Sequence, residues 1–156
     1  MTGDNIPPCL IYIDKEGRWF HKGVEMIHRE FIRLFYQNMS KDSEGRFIIN
    51  LDGDCCYVDV EDTPYVVRKV IYEDSDETDR SRYILRLSDD TDEDLSPDSL
   101  YIGKDNVLYC HVKDGVFPAR FTRPAYYQLA EYIEEKGEAY YLSLNGKNHP
   151  VDRKER

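Results

Sequence analysis

Apolar side chains at a period of two in the runs that flank Asp62-Thr63-Pro64 predict strands on both sides of that break, and short apolar runs bounded by Gly- and Asp-rich turns predict others along the chain. Leu10-Ile11-Tyr12-Ile13 reads as a strand, Asp14-Lys15-Glu16-Gly17 as a turn, and Arg18-Trp19-Phe20-His21 as the return strand of a hairpin. From about Ile27 the period lengthens. Phe31, Leu34, Phe35 and Met39 fall on one helical stripe, with Arg29, Glu30, Arg33 and Gln37 outside it. The polar run from Ser40 to Gly45 ends that helix, and Arg46 to Leu51 opens a second hairpin through Asp52-Gly53-Asp54 into Cys55 to Val58. At Asp62-Thr63-Pro64 the chain turns a corner, because proline lacks an amide hydrogen and keeps Thr63 out of the α region; a further strand runs from Tyr65 to Tyr72.

The second half repeats this order. Leu100-Tyr101-Ile102 answers Ile11-Tyr12-Ile13, and Leu108-Tyr109 answers Trp19-Phe20 at the same offset. A second helix follows, with Thr122 as its cap, Pro124 in its first turn, Tyr126, Leu129, Ala130 and Ile133 as its apolar stripe, and Gly137 as its stop. Tyr141 to Gly146 then matches Ile48 to Gly53. The reading is an α+β fold with an internal duplication of a hairpin-helix-hairpin unit, residues 10–72 and 82–151. Each helix carries only about four apolar stripe residues, worth ~1.5–3 kcal/mol apiece when buried. That is too little to order a unit alone, so the two units are expected to pack on a shared seam.

Composition narrows the class. Hydrophobic residues at 40% with 13 tyrosines describe a folded globule, since disordered acidic chains are poor in aromatics. With 31 acids against 21 bases the formal charge is -10, which repels nucleic-acid backbones and anionic membrane surfaces. No nucleic-acid or membrane partner is expected. The stretch from Met1 to Leu10 has no secretory pattern, and the expected location is the cytoplasm. Cys9, Cys55, Cys56 and Cys110 show no C-x-x-C spacing, and all four are expected as free thiols. The acidic runs Glu73 to Asp79 and Asp89 to Asp94 read as hydrated loops, because neither has the spacing of a calcium-binding loop.

Three segments carry a resemblance: Ile13-Asp14-Lys15-Glu16-Gly17-Arg18-Trp19-Phe20-His21-Lys22-Gly23, Val60-Glu61-Asp62-Thr63-Pro64-Tyr65, and Ala119-Arg120-Phe121-Thr122-Arg123-Pro124-Ala125-Tyr126-Tyr127-Gln128-Leu129. In this order they resemble the bacterial family known as domain of unknown function 1285. The resemblance spans about Ile11 to Tyr141. It implies an α+β protein with a duplicated core, a second half superficially like a pleckstrin-homology fold, and a binding site between the halves for a nucleotide-like ligand in a signalling role. Thr63 and Tyr65 stand where the family suggests alanine and phenylalanine, and the acidic loops are long for it.

The residues themselves offer a ligand set rather than a reaction. Arg120 and Arg123 flank the start of the second helix, where amide hydrogens carry partial positive charge, a plausible anion seat; salt bridges to acids are the alternative. Trp19, Tyr65 and Tyr127 would give planar contacts, Trp19 having an alternative reading as core on its hairpin strand, while Glu61, Asp62 and His21 would orient the ligand or hold the arginines. Glu61 and Asp62 also have an ordinary reading as turn residues. A metal site would pair His21 and His111 with Glu61, Asp62 or Cys110, yet no spacing demands one. No nucleophile motif or glycine-rich phosphate loop is present, so neither a cofactor nor a catalysed reaction is expected. The leading function is a small-ligand-binding regulatory module for a nucleotide-like or anionic molecule. A protein-interaction module using edge strands or acidic loops is the alternative, and a hydrolase using Glu61, Asp62 and His21 comes third.

Overall fold

The structure is a computed structural model that describes residues 6–77 and 79–154. The chain divides between Pro64 and Tyr65 into two compact units. The corner thus marks the boundary, and the strand from Tyr65 onward belongs to the second unit instead of closing the first at residue 72.

In the first unit β1 (Pro8–Ile13), β2 (Trp19–His21) and β3 (Val24–Glu25) precede α1 (Arg29–Gln37), and β4 (Met39–Lys41), β5 (Phe47–Leu51) and β6 (Asp54–Val60) follow it. They form one six-stranded sheet in the order β3-β2-β1-β6-β5-β4. Every neighbouring pair is antiparallel except the central β1 and β6, which run parallel. Two turns share one chemistry. In Asp14-Lys15-Glu16-Gly17-Arg18, the Asp14 carboxylate accepts the amides of Glu16 and Arg18 and the Arg18 guanidinium. In Asp42-Ser43-Glu44-Gly45-Arg46, Asp42 does the same with Glu44 and Arg46. Gly17 and Gly45 close both loops at φ 82° and 83°, in the left-handed region that favours glycine. The polar run after the first helix is therefore a third hairpin, not merely a helix stop. Met39 sits on its first strand.

The helix shows a different core face from the expected one. Ile32 and Tyr36 are its buried residues, whereas Phe31 and Leu34 are exposed at 52% and 41%. Tyr36 meets the Trp19 ring edge-on at 4.7 Å, and its hydroxyl donates to the Pro64 carbonyl at 2.7 Å. That hydrogen bond places the phenol end at the boundary turn and selects the Ile32–Tyr36 face for the interior.

The second unit holds β7 (Tyr65–Glu73), β8 (Arg82–Leu87), β9 (Asp92–Asp94), β10 (Tyr101–Ile102), β11 (Leu108–Val112) and β12 (Phe117–Phe121), then α2 (Arg123–Ala130). Last come β13 (Ile133–Lys136), β14 (Ala139–Leu144), β15 (Lys147–Pro150) and β16 (Asp152–Arg153). One sheet runs β16-β10-β11-β12-β7-β8-β9 and a smaller one β13-β14-β15. Thr122 caps α2, its hydroxyl accepting the Ala125 amide at 3.3 Å. The helix stops at Ala130, and Ile133 starts a strand where a helical stripe residue was expected. The acidic run after Ser88 is likewise partly strand: Asp92 and Asp94 of β9 pair with Arg86 and Arg82 of β8. Tyr72, Tyr83 and Tyr132 cluster at ring separations of 5.0–5.3 Å, and the Tyr83 hydroxyl donates to the Ser143 carbonyl at 2.7 Å.

The hairpin registers repeat between units. Ile13 faces Trp19 and Tyr12 faces Phe20 in one; Ile102 faces Leu108 and Tyr101 faces Tyr109 in the other. Asp52-Gly53 and Asn145-Gly146, all at positive φ, make equivalent two-residue turns. The sheets themselves differ: the first unit has one of six strands, the second one of seven and one of three. β6 runs unbroken, antiparallel to β5 and parallel to β1, whereas in the second unit β15 pairs with β14 and the separate β16 runs parallel to β10.

Burial, together with the neighbouring phenols Tyr72 and Tyr132, raises the Tyr83 hydroxyl from 10.0 to about 12. A raised value stabilises the fold fully below pH 10, and that contribution is lost as pH rises from 10 towards 12. Urea midpoints of wild type and Tyr83→Phe should therefore converge across this window, with the wild type losing more stability; parallel curves would contradict the assignment. In the same unit Leu85 is fully buried, and Leu85→Ala should cost about 2–5 kcal/mol in chemical denaturation.

Candidate functional site

The sequence-derived ligand set divides between the units. Trp19, His21, Glu61 and Asp62 fall in the first; Tyr65, Arg120, Arg123 and Tyr127 fall in the second. Trp19 is 1% exposed, stacked near Phe35 at 6.1 Å and against Tyr36, and Tyr65 is 2% exposed, 5.2 Å from Phe117. Both rings are spent on packing, which corrects their assignment as planar ligand contacts. The Trp19 indole N–H finds no acceptor among the described residues, a cost of about 1–3 kcal/mol.

Glu61 has a structural task. Its carboxylate accepts the Lys15 amide at 2.9 Å and holds the β1–β2 turn against the end of β6. The Tyr12 phenol is pushed up by burial and by the adjoining Glu61 carboxylate, to which it hydrogen-bonds. Asp62 is exposed on the boundary turn. His21 sits at the other end of β2 from the turn that Glu61 closes. Arg120 lies half-buried on β12, Arg123 is exposed at the first position of α2, and Tyr127 is 58% exposed beside Tyr126. Among the described residues no three His, Cys, Asp or Glu side chains gather to hold a metal ion, and no helix is long and apolar enough to cross a membrane.

One member of the set, His21, opens onto a feature the sequence reading missed. Its imidazole lines a cavity of about 580 Å³ inside the first unit. One wall is sheet: Ile11 on β1, Ile49 and Leu51 on β5. The other is the approach to α1 and the helix itself, from Met26 and Ile27 to Phe31 and Phe35. His21 and Trp19 lie two residues apart on β2 and hence share a sheet face. Trp19 is covered by α1, and His21 lies beyond the part that α1 covers. Glu25 and His28 complete the polar share of the lining. How much of this face a helix would cover was not written in any local pattern.

The cavity also exposes an error in the cysteine reading. Cys9 and Cys56 form a disulfide, with Cα atoms 4.9 Å apart, and both line the cavity. Only Cys55 and Cys110 are free. The expectation of four free thiols weighed the adjacent pair Cys55 and Cys56, whose side chains point to opposite faces. It missed that parallel pairing of β1 with β6 brings Cys9 beside Cys56 across a separation of 47 residues. Cys110 is fully buried, and loss of hydration, with the charge of Glu93, pushes its thiol above the usual range.

Trp19 is the chain's one tryptophan and touches Phe35, which lines the cavity. Its emission should be that of a buried indole, resistant to acrylamide until unfolding, and should change when the cavity is filled. Ready quenching in the native state would contradict the packing described.

No family model matches the chain, and no curated protein matches it significantly. Two solved structures share its fold. A DUF1285 family protein from Silicibacter pomeroyi superposes with a TM-score of 0.77 at 19% sequence identity, over 94% of this chain and 81% of that one. A DUF1285 family protein from Shewanella baltica gives a TM-score of 0.63 at 17% identity, over 78% of this chain and 91% of that one. The α+β fold is thus that of DUF1285 proteins.

Proposed function

We propose that the chain is a bacterial regulatory module of the DUF1285 family that binds a small molecule without transforming it, and that the cavity of the first unit is the ligand seat. The observation that carries this reading is the cavity itself, whose volume of about 580 Å³ and mostly apolar walls match the usual character of small-ligand sites. The chemistry of the walls selects the ligand: an apolar body, an acyl chain or ring system, against Ile11, Ile49, Leu51 and Phe31, with one polar end at His21 and His28. Each methylene buried there contributes about 0.8 kcal/mol. This departs from the anionic seat at Arg120 and Arg123, whose case rests on residue type and helix position alone. The matching hairpin registers and two-residue turns support an origin by duplication.

A second reading has its own observation. Val24, Ile27, Phe31 and Leu34 are all exposed, Ile27 at 74%, and form an apolar stripe along and before α1. In that reading the stripe receives an apolar helix of a protein partner.

A thermal-shift screen separates these. Medium-chain carboxylates and aromatic acids should raise the melting temperature, a ligand at 100 times its Kd adding about 2.7 kcal/mol. Met26→Trp, which fills the cavity, should abolish the shift, while Leu34→Glu, outside the cavity lining, should leave it intact. Nucleotides and simple anions in the same screen, with Arg120→Ala/Arg123→Ala, test the second-unit seat. If no apolar ligand stabilises the wild type, or if Met26→Trp retains the shift, the cavity reading fails.

A further inference from the structure

The disulfide sits where the sheet is least regular. β1 and β6 keep parallel register at Tyr12–Asp59 and Ile13–Val60, and again at Pro8–Tyr57, but between Pro8 and Tyr12 the register slips. β1 carries four residue steps there against two on β6, so the intervening residues bulge from the ladder. Leu10, at the centre of the bulge, has φ 64°, a conformation uncommon for a non-glycine residue and costing of order 1–3 kcal/mol. Its side chain is exposed, so no burial of its own holds it there. Cys9, immediately before it, is bonded to Cys56. The covalent link therefore spans the interruption and holds the irregular start of β1 against β6.

The same two cysteines line the cavity. A cleaved disulfide cannot keep its geometry, because two thiols must move from bonding distance to van der Waals separation. With the link broken, either the start of β1 moves off or a thiol enters the cavity, and both change the wall that an occupant touches. We propose that the Cys9–Cys56 disulfide is a redox gate on the first-unit cavity: oxidised, it holds the cavity in its binding form; reduced, it releases the start of β1 and weakens binding. This rests on the ligand reading above. The step is thiol–disulfide exchange with a dithiol reductant. One reductant thiolate attacks a cysteine sulfur and breaks the Cys9–Cys56 bond. Its second thiol then displaces the mixed disulfide, leaving two protein thiols and an oxidised cyclic disulfide, two electrons and two protons having passed to the protein. Coupling is reciprocal, so an occupant that prefers the oxidised form shifts the exchange equilibrium towards the disulfide.

The test uses the full chain and 1-anilinonaphthalene-8-sulfonate, a ring system with one polar end, as the probe. Its Kd is measured by fluorescence for oxidised wild type, for wild type reduced with dithiothreitol, and after reoxidation with oxidised glutathione; circular dichroism confirms that each form stays folded. Reduction should raise Kd by about fivefold or more and reoxidation should restore it, a coupling of ordinary allosteric size. Cys9→Ser/Cys56→Ser should match the reduced protein, and Cys55→Ser the oxidised one. In a separate measurement, saturating probe should shift the equilibrium between disulfide and dithiol in a dithiothreitol redox buffer towards the disulfide, which tests the gate even if the double variant does not fold. A smaller rise in Kd, tighter binding on reduction, or a disulfide equilibrium indifferent to the probe overturns the gate while leaving the cavity a ligand site. Absence of probe binding by the oxidised protein overturns the ligand reading and the gate with it.

Discussion

A short helix on a wide sheet is the constraint from which the first unit follows. α1 has nine residues, about 14 Å of helix, while six strands spaced in the ordinary way extend roughly 24 Å across. One such helix cannot cover the apolar face of that sheet. The part it covers is the packed core, with Ile32 and Tyr36 buried and Tyr36 set against Trp19. The remainder, towards Ile11, Ile49 and Leu51, lies open and is the cavity. The exposed Phe31 and Leu34 express the same shortage, a helix with more apolar surface than one sheet contact uses.

What could be read from the sequence was local. The first hairpin follows from Asp14 to Gly17, the β5–β6 turn from Asp52-Gly53, and the α2 cap from Thr122 before Arg123-Pro124, because each depends on backbone geometry that its own residues dictate. The α+β class followed from the same signals. Choices between neighbouring faces were not legible. α1 presents Phe31, Ile32, Leu34, Phe35 and Tyr36 within two turns, so spacing alone ranks two faces nearly equally, and the Tyr36 hydrogen bond to Pro64 decides between them. The hairpin at Asp42 was missed although Asp42-Ser43-Glu44-Gly45-Arg46 repeats the lettering of Asp14-Lys15-Glu16-Gly17-Arg18, a signal that was present and unused. The cavity and the disulfide depend on the pairing of β1 with β6, a contact between distant segments that no window of the chain contains.

The candidate site shows the same division. His21 was named from residue type and lines the cavity, but Trp19 and Tyr65, chosen as planar ligand contacts, are core, since large rings lose most by staying in water. The apolar residues that build the cavity were each assigned to packing. A ligand site whose chemistry is mainly hydrophobic leaves no signature distinct from that of a core.

The parallel pairing of β1 with β6 has a bearing on how the protein is made. The two strands at the middle of the first sheet come from opposite ends of their unit, so the sheet acquires its centre only after the residues around Asp59 and Val60 have left the ribosome. Until then two separate hairpins and a helix wait with apolar faces unmatched. Closing the long loop between the central strands sets the pace of folding for the unit, and puts its most exposed moment late in synthesis.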